Sequence, residues 1–255
     1  MGASVVDLGP RLAVVLVVLT ALAAVGGRLS GLGQDRPVVV AAVRATVQLA
    51  LVSAVLLVVV RSLWLSAVFV VLMLTVATAT SAGRITGAGL RGSRRALPAA
   101  LPIVAGALPV VALVLASGAV PLRGEAVIPV AGILIGGAMT ATSLAGRRLR
   151  DELTARRGEV EAALALGMLR RDAVLLVGRP AGATALVPPL DQTRTVGLVT
   201  LPGAFVGVLL GGGSPLEAGA AQLLVLIGLL AAQVLAVWGV TELIARGRLL
   251  DDVPA

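Results

Sequence analysis

Apolar residues run along this chain in long uninterrupted blocks, without the three-to-four spacing that a helix uses to cover a water-soluble core. Ser62 to Gly83, Ala96 to Leu122, Ala126 to Gly146, Thr195 to Leu216 and Ala218 to Thr241 each proceed without a charged side chain. A hydrocarbon layer about 30 Å thick takes roughly 20 helical residues at 1.5 Å rise each. Every one of these blocks is long enough to cross it. Leu12 to Gly27, extended by Val5 to Pro10, and Pro37 to Val60, interrupted only by Arg44, supply two more. Pro180 to Leu190 is too short to cross alone and reads as the inner, proline-broken part of the sixth helix, continuing through Thr195. The pattern therefore predicts an all-α polytopic membrane protein with about seven transmembrane helices. Arg11 before an apolar run and Ala21 to Ala24 after it also fit a cleaved leader, but the orientation below works with this segment kept as the first span.

One stretch breaks the pattern. Between the fifth and sixth spans, over residues 147–175, both charge signs are dense. Leu153, Val160, Leu164 and Met168 recur at helical spacing as an apolar stripe, and Arg150, Asp151, Glu152, Arg156, Arg157, Glu159 and Glu161 fill the remaining faces. This is an amphipathic cytoplasmic helix by pattern. It could lie on the bilayer with its arginines on anionic headgroups, or it could dock a partner protein. Glu161, Ala162 and Ala163 followed by Gly167 favour docking: small alanines let a partner approach, a carboxylate can pair across the contact, and glycine permits a tight turn between two short helices.

Composition narrows the chemistry. The 255 residues are 58% hydrophobic and 13% charged, with a mean hydropathy of +1.04. There is no Cys, His, Tyr, Lys or Asn, a bias that resembles a GC-rich genome's codon usage. Those absences remove thiol nucleophiles, disulfides, zinc and haem ligation and any Ser-His-Asp triad. No catalytic residue and no resident metal site is expected. Without Lys there is no Walker A loop, so a nucleotide that drives this protein must sit on another chain. The net charge of +8 comes with only two Trp and two Phe for stacking, and arginine placement explains it better than nucleic acid does.

With residues 147–175 set inside, sixteen arginines fall on that side, including Arg28, Arg36, Arg84, Arg91, Arg94, Arg95, Arg246 and Arg248. Arg11, Arg61 and Arg123 alone fall outside, while Arg44 and Arg194 lie within spans. Positive loops mark the cytoplasmic face. The N-terminus is predicted outside and the C-terminus inside, in a plasma or inner membrane, with Trp64 and Trp238 near opposite interfaces. The loop from Arg84 to Ala96 has four arginines and no acid; it enforces topology and touches headgroups, or gives a further partner contact.

Three stretches carry a more specific signal: IPVAGILIGGAMTATSLAGRRLRDEL from Ile128, EVEAALALG from Glu159, and VGLVTLPGAFVGVLLGGGSPLEAGAAQ from Val196 to Gln222. Over Ile128 to Gln222 the chain resembles the FetB-like family of small ABC-transporter permeases, bacterial iron exporters with plant relatives implicated in aluminium tolerance. The first four spans agree in number and in Arg44-x-x-x-Gln48. The resemblance implies a single permease domain over 1–255, with residues 147–175 coupling it to a separate ATPase that binds the ATP. It implies a pair of permeases, and export of a metal ion, iron in the family, or of a small solute. Coupling would rest on Glu159, Glu161, Ala162, Ala163 and Gly167.

Charged groups at bilayer depth cost about 2.5–3.5 kcal/mol each on insertion scales, so they seek a partner or a wet cavity. Arg44 and Gln48 share one face of span two, and Asp191 and Arg194 are three apart. The expectation is that Asp191 pairs with Arg194 or Arg44 and that Gln48, Gln192, Thr193 and Thr195 line the same polar pathway; snorkelling of both arginines to the interface is the alternative. Gly203, Gly207 and Gly211 form a small-residue face for helix packing, Pro202 adds a bend, and Gly132 and Gly136 smooth span five. The polar residues also leave open an ATPase-independent secondary transporter with Arg44 and Asp191 as a relay.

Overall fold

The uncharged blocks fold as helices in a computed structural model that describes residues 9–86 and 96–250. Ten α-helices are present among these residues: α1 Pro10–Leu29, α2 Asp35–Val59, α3 Leu63–Thr86, α4 Ala96–Ala116, α5 Gly124–Ala155, α6 Arg157–Ala165, α7 Arg170–Ala183, α8 Val187–Thr195, α9 Gly203–Leu210 and α10 Pro215–Ala245. A 3₁₀ turn, Thr184–Leu186, joins α7 to α8. Seven stretches are long and apolar enough to cross a membrane. The chain is an all-α, multi-pass membrane protein. Arg91, Arg94 and Arg95 fall outside the described residues.

The chain divides into two units, 1–61 and 62–255. The first is a helical hairpin of α1 and α2. Pro10 opens α1 where a missing N–H costs nothing, and Gly31 and Gly33 take positive φ in the connecting turn. Neither helix has a buried residue, and both are apolar around most of their circumference, with Arg44 and Gln48 the exceptions in the middle of α2.

In the second unit α4, α5 and α10 pack on one another, with α3 against α4 and α5, and α7 against α5 and α10. Lipid is as apolar as leucine, so these contacts depend on close backbone approach. A Cβ built on Gly106 of α4 would lie 2.5 Å from the Ala232 carbonyl oxygen of α10, and one on Gly239 would lie 3.2 Å from Pro102 Cα. Two apolar clusters result. One gathers Ile103, Ala107, Leu134, Ile135 and Ala232; the other, toward the arginine-rich end, gathers Ile85, Leu149, Leu153, Val160, Val174 and Ile244.

Two helix ends depart from the expected spans. α4 stops at Ala116, ahead of Leu122, because Gly118 turns the chain at φ +71°. α5 continues past Gly146 to Ala155, so its 32 residues reach about 48 Å and its charged last turns stand beyond the apolar layer.

The sixth crossing is the largest correction. Thr195 to Leu216 is not one helix: the span-length element is Arg170–Thr195, the chain then unwinds over residues 196–202, and only eight residues re-form α9. Pro180 to Leu190 therefore lies in the middle of the crossing. Arg170 and Arg171, expected in the aqueous segment, ride on its first turn, and Arg179, counted on the same side, lies two turns further along.

Candidate functional site

The charged segment folds as an elbow, in place of a single amphipathic helix. α5 ends at Ala155, α6 is a short second limb, and α7 begins at Arg170. The turn after α6 is a Schellman motif: Met168 N–H donates to the Ala163 carbonyl (3.1 Å) and Gly167 N–H to that of Leu164 (2.9 Å), with Gly167 at φ +87°. The glycine of the Glu-Ala-Ala spacing thus occupies the left-handed position that side chains avoid.

The elbow's apolar stripe is divided. Leu153 and Val160 are buried in the bundle and Leu164 is half-buried, while Met168 is exposed. Ala163 is buried and Ala162 exposed. On either side of the glycine turn Leu166 is 86% and Leu169 74% exposed, an apolar tip directed away from the core. The carboxylates around it are engaged locally. Arg156 Nε donates to Glu159 (2.7 Å) and Arg157 Nε to Glu161 (2.7 Å). The Arg156 hydrogen bond holds the Glu159 carboxyl below its usual range.

Two contacts fix the elbow's root, and a third braces the carboxylate that one of them uses. Arg150 donates to the Ile85 carbonyl at 2.9 Å, tying α5 to the end of α3. Arg171 reaches Glu242 of α10 through two bonds of 2.6 and 2.9 Å, and Arg246 reaches the same carboxylate at 2.7 Å. A forked guanidinium on a largely covered carboxylate locks two helices in one register. Sequence reasoning missed this cluster. Its signal was Glu242, a lone acid directly after an uncharged run.

The unwound part of the sixth crossing sits deep. Val196 and Gly197 share a small cavity with Gln222 and Leu226 of α10, which are seven and eleven residues past Pro215, or about 10–16 Å along that helix. Backbone at such depth must satisfy its own polar groups. Gly197, at φ +83°, donates to the Thr200 carbonyl (2.9 Å), and Leu198 and Val199 donate to Thr195. Pro202 is the N-cap of α9; it starts a new helix and does not bend a continuous one. The side-chain oxygen of Gln222, itself buried, accepts from Phe205 N–H (3.1 Å) and so covers one of the donors that a helix start leaves open.

The expected pathway residues are placed as follows. Asp191 accepts from Arg194 of its own helix at 3.3 Å, and both are exposed. Thr195 donates to the Asp191 carbonyl and Thr193 to that of Pro189, so both hydroxyls turn back on their own helix. Gln192 is exposed, and Arg44 and Gln48 are exposed on α2 in the other unit. Of the glycines, Gly132 packs against Met73, whereas a Cβ at Gly136, Gly203 or Gly207 would meet nothing within 4 Å. Gly211 ends α9. Among the described residues, no group of three or more Asp, Glu, His or Cys could hold a metal ion.

A cavity of about 650 Å³ lies between the Ala119–Pro121 loop, the first turns of α5, α9 and the first half of α10. Gly203, Ala204, Gly207 and Val208 form its α9 wall, and Glu125 is the one ionisable side chain lining it. Nothing in the sequence pattern pointed to it, because Glu125 reads as an ordinary acid in a helix's first turn.

Residues 11–248 match a family described as "Uncharacterised protein family (UPF0014)". The UPF0014 membrane protein STAR2 of Oryza sativa subsp. japonica is 42% identical over 134 residues, 52% of this chain and 47% of STAR2. The UPF0014 membrane protein YjkA of Bacillus subtilis is 31% identical over 205 residues, 80% of each chain. The "Probable iron export permease protein FetB" of Escherichia coli is 32% identical over 130 residues, 51% of this chain and 50% of FetB. The chain spans about half the length of STAR2 and of FetB. No solved structure matches it.

Proposed function

This chain belongs to the UPF0014 family of membrane proteins, and on that premise we propose that it is the permease subunit of an ABC transporter, driven by a separate ATPase that grips the α5–α6–α7 elbow. One observation carries the proposal. A helix resting on headgroups would turn its apolar stripe to the lipid, whereas here Leu153 and Val160 are spent inside the bundle and a second apolar surface, Leu166 and Leu169, is left exposed on a rigid mount. Glu159 and Glu161, paired with Arg156 and Arg157, put charge on the same short limb that ends in that apolar tip. Apolar residues with charge close by in the chain suit a protein contact.

The arginine-rich end faces the cytoplasm, which puts the N-terminus outside and the C-terminus inside the plasma or inner membrane. Two copies of the chain and two ATPases make the working unit, and ATP stays on the ATPases. Nucleotide-driven closure pulls on the elbow, and α7 transmits the motion through the Arg171–Glu242 fork to α10. The transporter exports a small solute or a metal ion; iron is supported by similarity to the protein named as an iron export permease. The polar strip of Asp191, Gln192, Arg194 and Thr195 beside the unwound segment lines the route; Arg44 with Gln48 on α2 is a separate candidate pair within its own unit. Asp191→Leu is expected to lower export at least tenfold with insertion unchanged; export at the wild-type rate would remove the strip from the route.

Affinity purification of the intact chain from its native membrane tests the coupling. An ATPase carrying a Walker A sequence is expected to copurify, and Glu161→Arg combined with Gly167→Val is expected to release it at equal permease yield. Continued copurification from the double variant, or export that persists in membranes from which no ATPase copurifies, would leave the secondary-transporter reading in its place.

A further inference from the structure

The 650 Å³ cavity has mainly apolar walls and one carboxylate side chain. Val120, Ile133, Leu134, Val208 and Leu224 supply much of its surface, and no lining side chain is a hydrogen-bond donor. Glu125, an exposed residue in the first turn of α5, supplies the one polar side chain of the lining. Its backbone carbonyl lacks the usual helical donor, since the residue four places on is Pro129, which has no N–H to give. Gly203 and Gly207 keep the opposite wall open, since a Cβ at either would reach nothing within 4 Å.

A hydrated metal ion gains nothing here. Ca²⁺ takes about six to eight oxygen ligands and Mg²⁺ sheds its water reluctantly, so a single carboxylate among apolar walls offers either ion little. A neutral apolar molecule would leave the carboxylate unused, whereas an opposite charge carried on an apolar body meets both the carboxylate and the apolar walls. The volume lies within the range of small-molecule sites, which are mainly apolar with a few placed polar groups.

We propose that this cavity is a binding site for an amphipathic organic cation, its charge set against Glu125 and its apolar body between α5, α9 and α10. On the permease role above, the site receives cargo, or an inhibitor, at the end of the bundle opposite the elbow; binding itself requires no ATPase. A cargo of this class brings its own apolar coat, which suits a chain without metal-ligating clusters among its described residues.

Two size-matched probes of opposite charge separate this from simple partitioning into lipid. Equilibrium dialysis of the full chain in lipid nanodiscs, with empty nanodiscs subtracted, is expected to show saturable binding of tetraphenylphosphonium at one site per chain and no saturable binding of tetraphenylborate. Glu125→Gln is expected to weaken the cation about tenfold, with Glu125→Asp intermediate, and Gly207→Trp to abolish binding by filling the cavity at a position with free space. Circular dichroism and elution volume establish that each variant is folded. Equal uptake by loaded and empty discs, or binding indifferent to Glu125→Gln and Gly207→Trp, would overturn the proposal. So would a wild type that binds no cation but dissociates from dimer to monomer with Gly207→Trp, since the cavity would then belong to a second copy. Failure here with the ATPase still copurifying would spare the permease role, and the converse result would spare the site.

Discussion

Gly106→Ala is expected to destabilise the bundle by about 2 kcal/mol, while the same change at Gly136 leaves it unaltered or slightly more stable. Both glycines are in the interior of membrane-crossing helices, so alanine's higher helix propensity favours each substitution by up to about 1 kcal/mol. They differ in what the new methyl group meets. At Gly106 it would lie 2.5 Å from the Ala232 carbonyl oxygen, 3.0 Å from Ala236 Cβ and 3.1 Å from Ala236 N, so α4 and α10 must separate. Overpacking of that kind costs about 1–3 kcal/mol, and backbone cannot rotate aside as a side chain can. At Gly136 nothing lies within 4 Å. For a chain of this size the Gly106 variant's midpoint should fall by roughly 4–8 °C in a thermal unfolding scan of purified protein. Equal midpoints for the two variants would mean that the α4–α10 seam is looser than these distances require. Gly132→Ala should behave like Gly136→Ala, because its obstacle is the terminal methyl of Met73, the mobile end of a flexible side chain.

Crossing count was legible because it depends on one quantity, the length of uncharged chain, that lipid itself enforces. The same measure failed between Thr195 and Leu216. Hydropathy reports the cost of placing residues in lipid and says nothing of whether their backbone forms one helix. The breakers were present: Gly197 and Pro202 bracket Val199 and Thr200, β-branched residues with weak helix propensity. They were outweighed because unsatisfied backbone is so costly at depth; Gly197 and Gln222 meet that cost with hydrogen bonds that only the folded chain reveals. Gly167 was legible as a turn, since a charged amphipathic pattern met a glycine. Glu242 was not, because a lone acid beside a span looks like its aqueous end until Arg171 arrives from 71 residues away. Glu125 was silent for the same reason.

The break in span six and the elbow are mechanically linked through one helix run. Arg170–Thr195 begins after the Gly167 turn and ends at the unwound segment, so on the proposed coupling a displacement of the elbow would arrive at a crossing whose helix is interrupted. α9, beyond the interruption, has a face on the large cavity and is tied to α10 by the Phe205–Gln222 bond. A continuous helix would pass a push to the far end of the bundle as a rigid rod. A broken one lets the elbow's half move while α9 keeps its seat.

On the proposed coupling, Leu166→Glu with Leu169→Glu is expected to stop transport and release the ATPase while leaving fold and insertion intact. Both side chains are exposed, so their loss from the permease alone should fall within about 0.5 kcal/mol of wild-type stability. Burying a leucine in a contact contributes about 1.5–3 kcal/mol, so removing two weakens the complex by about 3–6 kcal/mol, more than a hundredfold. Lysine at the same two positions decides what the tip touches. An apolar socket on a partner protein rejects either charge, and both double variants should be equally inactive. Anionic headgroups would accept lysine and repel glutamate. Transport retained by the lysine pair and lost only by the glutamate pair would therefore move the elbow from a protein socket to the membrane surface, and with it the source of energy away from a bound ATPase.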